Sequence, residues 1–119
     1  MGVSTDAKFI FGFEVGEEEG DAEHERCDAL MDDEYTTLTK VEKSHDAALV
    51  YHCSDQCTEY ILGLKSTYVQ ARRGHPKEVD VSTFGKLSQD DMNAKLVAMA
   101  EALGLKAKPG RWLLCSYWG

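Results

Sequence analysis

The segment 7–15, AKFIFGFEV, constrains the fold more than any other stretch of the chain. Phe9, Phe11 and Phe13 recur at period two, so a strand carries all three on one face. Ile10 then lies on the opposite face, where Gly12 leaves room. A strand with two usable faces belongs inside a sheet and not at its edge. Just before it, Ser4, Thr5 and Asp6 are suited to bond nearby backbone groups and form the turn that sets the strand's entry.

The rest of the chain supplies partners for that strand. Residues 21–36 read as a helix with Cys27, Leu30, Met31 and Tyr35 clustered on one side. Residues 37–46 read as a polar connection. Residues 47–53, AALVYHC, read as a strand, and SDQ after them as a turn. Residues 58–72 read as extended, with Gly63 and Ser66 as places to bend and Pro76 as a stop. Residues 88–103 are a helix capped by Ser88 and ended by Gly104, with a buried seam of Met92, Leu96, Met99 and Leu103. The final RWLLCSYW reads as a strand with Trp112, Leu114, Ser116 and Trp118 on one face. The order strand, helix, strand, strand, helix, strand predicts an α+β domain over residues 1–119. Its antiparallel sheet would have about four strands, with two helices on one face in the βαββαβ order of ferredoxin-like folds.

A chain of 119 residues is one domain's worth and buries roughly two-thirds of its unfolded surface. No stretch is long and apolar enough to span a membrane, and the apolar run Phe9–Phe13 lacks a basic leader and a cleavage site. The expectation is a cytoplasmic protein whose four cysteines, Cys27, Cys53, Cys57 and Cys115, stay reduced. A formal net charge of −8 argues against direct nucleic-acid binding and favours a protein partner with a basic surface.

Charge is unevenly placed. Eleven acids and one base, Arg26, fall between Glu14 and Glu34. Within that tract Asp21, Glu25, Asp28 and Asp32 fall on one helical stripe, with Glu17, Glu18 and Glu19 preceding it. If the tract were helical, its acids would repeat about every 3 Å along the axis, close to the charge spacing of a nucleic-acid strand. These seven residues are the candidate partner-binding set. The bland reading is a solvated face, with acids favoured at a helix start by the macrodipole.

Other constellations are weaker. His52, Cys53 and Cys57 are soft ligands close in sequence, but the spacing Cys-x-x-x-Cys departs from the zinc knuckle, and adjacent strand residues point to opposite faces. No metal or other cofactor is expected. Cys53 or Cys57 with His75 and Asp55 could form a thiol site only on paper. Arg72, Arg73 and His75 form a basic patch suited to a phosphate-bearing ligand, or simply to a solvated edge. No phosphate-loop, nucleotide or paired-carboxylate pattern appears, so the chain leans away from an enzyme.

The start MGVSTDAKFIFGF, the middle HCSDQCTEYILGL with ARRGHP, and the finish WLLCSYWG resemble a group of small tailed-bacteriophage proteins without an established activity. The matching positions at the ends are Gly2, Ser4, Thr5, Asp6 and Ala7, and Ser116, Tyr117, Trp118 and Gly119. The resemblance implies a phage or prophage origin and carries no catalytic residues with it. It also implies an accessory role, since small phage proteins outside the virion often bind and inhibit host proteins, including defence systems. The leading expectation is a non-enzymatic host-protein inhibitor, of anti-CRISPR or other anti-defence type, acting in the host cytoplasm through its acidic face. The alternatives are a nucleotide-sequestering protein using Arg72, Arg73 and His75, and a small zinc- or thiol-dependent protein using His52, Cys53 and Cys57.

Overall fold

The computed structural model describes residues 5–16, 21–54 and 58–118. Among these residues, five strands and four helices run in the order β1 (Thr5–Val15), α1 (Ala22–Met31), α2 (Tyr35–His45), β2 (Ala47–Ser54), β3 (Thr58–Leu64), β4 (Val69–Arg72), α3 (Val81–Gly85), α4 (Gln89–Leu103) and β5 (Arg111–Trp118). The chain is α+β, but the expected four-stranded antiparallel sheet with two helices in βαββαβ order is overturned. The sheet is mixed and five-stranded, in the order β3-β2-β5-β1-β4.

Three local causes account for the difference. The extended run predicted over 58–72 breaks at a 3₁₀ turn, Lys65–Thr67. Thr67 is fully buried; its hydroxyl donates to Leu64 O at 2.8 Å and accepts from Phe11 N at 3.0 Å. That side chain takes a place in the backbone hydrogen-bond scheme, so the ladder stops and restarts as β4. The predicted polar connection 37–46 is helical. Leu38 and Val41 bury themselves in the core, while Thr39 Oγ1 donates back to Tyr35 O and Ser44 Oγ to Lys40 O. Finally, Asp80 caps a short helix that periodicity does not reveal, accepting from Thr83 N and from the hydroxyls of Ser82 and Thr83. Those bonds hold its carboxyl down at about 2.

β1 is central, as its two apolar faces require. It pairs antiparallel with β5 along eight residues, with β4 at its N-terminal end and with β3 at its C-terminal end. β2 pairs antiparallel with β3 and touches β5 through a short parallel contact, Cys53 opposite Tyr117 and Ser54 opposite Trp118. The pairings therefore close a circuit from β1 through β3, β2 and β5 back to β1. Cys53 has left-handed backbone, φ 77°, where β2 turns to meet β5.

Two cores follow from this coiling. The larger lies between the sheet and the helices and contains Phe11, Phe13, Leu30, Leu38, Leu62, Leu96, Met99 and Leu103. The α4 seam of Met92, Leu96, Met99 and Leu103 is buried throughout, each side chain stabilising by roughly 1.5–3 kcal/mol. The smaller core, Ile10, Ala48, Val50 and Ile61 with Tyr68, Leu113 and Cys115, draws on no helical residue. Ile10 is fully buried there because the sheet wraps over it. Gly12 and Gly63 face each other across β1 and β3, and a Cβ on Gly12 would stand 2.3 Å from Leu62 O.

Candidate functional site

The acidic stripe sits on α1. Asp21 is its N-cap and accepts from His24 N at 2.7 Å. Glu25, Asp28 and Asp32 are exposed. Asp28 also accepts the Tyr60 hydroxyl and stands 3.5 Å from His24 Nδ1, while His24 Nε2 bonds Thr58 O at 2.6 Å. Glu25 and Asp32 have no ion pair among the described residues. Arg26, the tract's one base, is turned away from the stripe. It is held by Glu34 and donates Nε to Leu103 O at the end of α4. Glu23 is also taken, accepting from Lys106 N. Glu17, Glu18 and Glu19 lie outside the described residues. Asp21 and Asp28 are thus structural as well as acidic, whereas Glu25 and Asp32 are left to face solvent.

A cleft of about 740 Å³ opens beside the start of that helix, lined by Phe13, Glu14, Gly16, His52, Glu59, Tyr60, Lys108, Pro109 and Arg111. Most of its polar residues come from four strands at one end of the coiled sheet, and Lys108 comes from the loop before β5. His52 on β2 lies opposite Glu59 on β3. Glu14 on β1 lies opposite Ile61, two residues from Glu59, and Arg111 on β5 lies opposite Gly12, two residues from Glu14. Alternation puts Glu14, Glu59, His52 and Arg111 on the inner face that further in carries Ile10, Ile61, Val50 and Leu113. Burial holds the His52 imidazole below its ordinary value, against the pull of the Glu14 and Glu59 carboxylates; Lys8 adds to the lowering. Its Nε2 is buried with no hydrogen-bond partner among the described residues.

The basic patch and the thiols are less well assembled. Arg72 lies opposite Asp6 on the sheet edge and forms an isolated bridge with His75. Arg73 lies in the turn after β4, where its backbone N donates to Thr5 O at 2.9 Å. Arg72, Arg73 and His75 are all exposed. Cys53 is exposed and Cys57 lies outside the described residues. Among the described residues, no three His, Cys, Asp or Glu side chains stand close enough to hold a metal ion. Cys27 is buried, and burial pushes its thiol up to about 12, with Glu23, Asp28 and Asp21 adding to the rise. That rise makes it unreactive. No helix of the described chain is long and apolar enough to cross a membrane.

Two features escape sequence reading. Lys8 is only 3% exposed inside the sheet, where its Nζ donates to Tyr51 O at 2.7 Å and lies 3.9 Å from the Tyr51 ring centroid. The outer face of β5 is the other. Trp112, Leu114 and Trp118 are exposed on it at 39%, 73% and 60%. The sequence gives their common face but not whether anything covers it. Helix α3 covers one end only, where Phe84 stacks on Trp112 at 5.1 Å and Phe9 stacks on Trp112 at 5.4 Å. The cleft's ion set left no sequence signal either, because Glu14, His52, Glu59 and Arg111 are scattered along the chain and only strand register gathers them. Comparison with known proteins finds no matching family model, no matching curated protein and no matching solved structure.

Proposed function

We propose that this chain is a phage-encoded, non-enzymatic accessory protein that binds and inhibits a basic host protein or defence complex through the α1 stripe. The observation that carries the reading is the disposition of charge on that helix. Asp21, Glu25, Asp28 and Asp32 run down its outer side, while Arg26, the one base of the acidic tract, is engaged elsewhere. An acidic stripe whose Glu25 and Asp32 have no ion pair among the described residues steers a cationic partner and sets its register.

The structure dictates which charges to reverse. Asp21 caps α1 and Asp28 holds Tyr60, so changing them confounds binding with folding. Glu25→Lys with Asp32→Lys leaves both roles intact. The expected result is a folded variant that recovers at least tenfold less of a mass-spectrometrically identified partner from host lysate, with native binding weakened by added salt. Equal recovery by the native and doubly reversed proteins overturns the reading.

A further inference from the structure

The cleft at the end of the coiled sheet is a second site, separate from the α1 stripe. Its wall carries two carboxylates, Glu14 and Glu59, and two cations, Lys108 and Arg111. Charges of opposite sign this close would ordinarily pair. Yet the ion pairs within 4.0 Å among the described residues are His24–Asp28 and Arg26–Glu34, and none of these four side chains takes part in one. Nor does any of the four have a hydrogen bond from its charged group to another described residue. Two acidic and two basic side chains thus line the cleft without pairing with one another. Pro109 adds an exposed apolar residue to the lining, while Phe13 and Tyr60 reach it from strands with their rings buried toward the helices.

Backbone pairing holds Glu59 apart from Arg111. Glu59 is held on β3 opposite His52, and Arg111 on β5 opposite Gly12. The two lie on strands that flank β1 on opposite sides. Tyr60, next to Glu59, is itself tied to Asp28 on α1. His52, on the cleft wall, also has a buried Nε2 with no hydrogen-bond partner among the described residues, an unmet polar group beside the cleft. The volume, about 740 Å³, falls in the range of small-molecule sites.

We propose that this cleft binds a small zwitterion, a molecule with an ammonium group and a carboxylate on an apolar body, the chemistry shared by aromatic amino acids and short peptides. The ammonium meets Glu14 and Glu59, the carboxylate meets Arg111 and Lys108, and the body lies against Pro109. Recognition demands both charges, because a ligand with one would leave half of the cleft's ions desolvated and unpaired.

Titration calorimetry of the native chain with four probes tests this: phenylalanine, glycyl-phenylalanine, phenethylamine and 3-phenylpropionate. The last two lack the carboxylate and the ammonium respectively. The expected result is saturable binding of one or both zwitterions, at least tenfold tighter than either singly charged probe. Whether the amino acid or the dipeptide binds more tightly identifies the source. Glu59→Gln should abolish the preference over phenylpropionate, and Arg111→Gln the preference over phenethylamine. Both positions are at the surface, and circular dichroism verifies the fold. As a readout independent of the variants, the His52 ring resonances of the native protein should move on adding the zwitterion and stay fixed with the singly charged probes. Equal affinity for all four probes, or no saturable binding of either zwitterion at millimolar concentration, overturns the proposal. Either result leaves the α1 reading untouched, since Glu25 and Asp32 do not line the cleft.

Discussion

Lys8 shows what a single residue costs and does in this sheet. Its neighbours in register, Gln70 on β4 and Cys115 on β5, place it on the inner face, where an ammonium is expensive. The Tyr51 carbonyl and the Tyr51 and Tyr117 rings offset part of that cost. Burial still lowers its pKa, outweighing Cys115 and Asp6, which act to raise it. The sign of the linkage follows. The folded chain releases the Lys8 proton at a lower pH than the unfolded chain, whose lysines titrate near 10.4. Lys8 therefore contributes stability above the unfolded value, and that stability is lost as pH falls through the folded one. Urea unfolding of native protein and Lys8→Met at pH 7 and at pH 10 should show the difference moving in favour of the native chain at the higher pH. Tyr68, raised to about 12 mainly by burial, acts in the opposite direction but is present in both proteins. A difference that does not change with pH would show Lys8 to be solvated.

At the scale of elements, legibility follows how much of the signal is local. α4 was readable at both ends because each end is a short-range device. Ser88 accepts from Asp91 N, and Gly104 takes the left-handed φ of 72° that ends the helix. α2 was not readable, because its threonines and serine suggest loop; Leu38 and Val41 override that local preference by packing. The break between β3 and β4 depends on Thr67 reaching Phe11, a contact between residues far apart in sequence. The junction of α1, α2 and α4 has a similar long-range pin. Arg26 reaches from α1 to Glu34 and to the last carbonyl of α4, Leu103 O. The sequence displayed Arg26 only as the lone base in an acidic tract. Arg26→Met keeps the stem and removes the charged donor. We expect it to cost about 2 kcal/mol, the scale of a hydrogen bond from a charged group, measured as a lower urea midpoint with unchanged slope. Unchanged stability would show that the helices are held by their apolar seams alone.

The whole molecule depends on strands that meet only after coiling, and this is where the sequence was least informative. Period-two patterning identified β1 as central and predicted the common face of Trp112, Leu114 and Trp118. It carried no register, and register decides both the closed circuit and the cleft at its end. The same gap left the β4 edge and the parallel β2–β5 contact unseen. One clue was visible but not interpretable from sequence: Gly12 and Gly63, each a glycine within an apolar strand. In the structure they sit opposite each other, and that close approach allows β3 to cross β1 while β4 continues along it. A Cβ on Gly12 would lie 2.3 Å from Leu62 O and 2.7 Å from the Gly63 Cα, both backbone atoms that cannot move aside without shifting a strand. Gly12→Ala should therefore cost roughly 3 kcal/mol or more, at the upper end of overpacking effects. Gly85 is the matched control, since a Cβ there meets nothing within 4 Å. Gly85→Ala should leave stability within about 1 kcal/mol of the native value, on the stabilising side, because it restricts the unfolded chain. Urea unfolding of the two variants compares them directly. If Gly12→Ala unfolds at the same midpoint as Gly85→Ala, β1 and β3 do not approach so closely. The closed circuit, and the separation of Glu59 from Arg111 that it enforces, would then have to be abandoned.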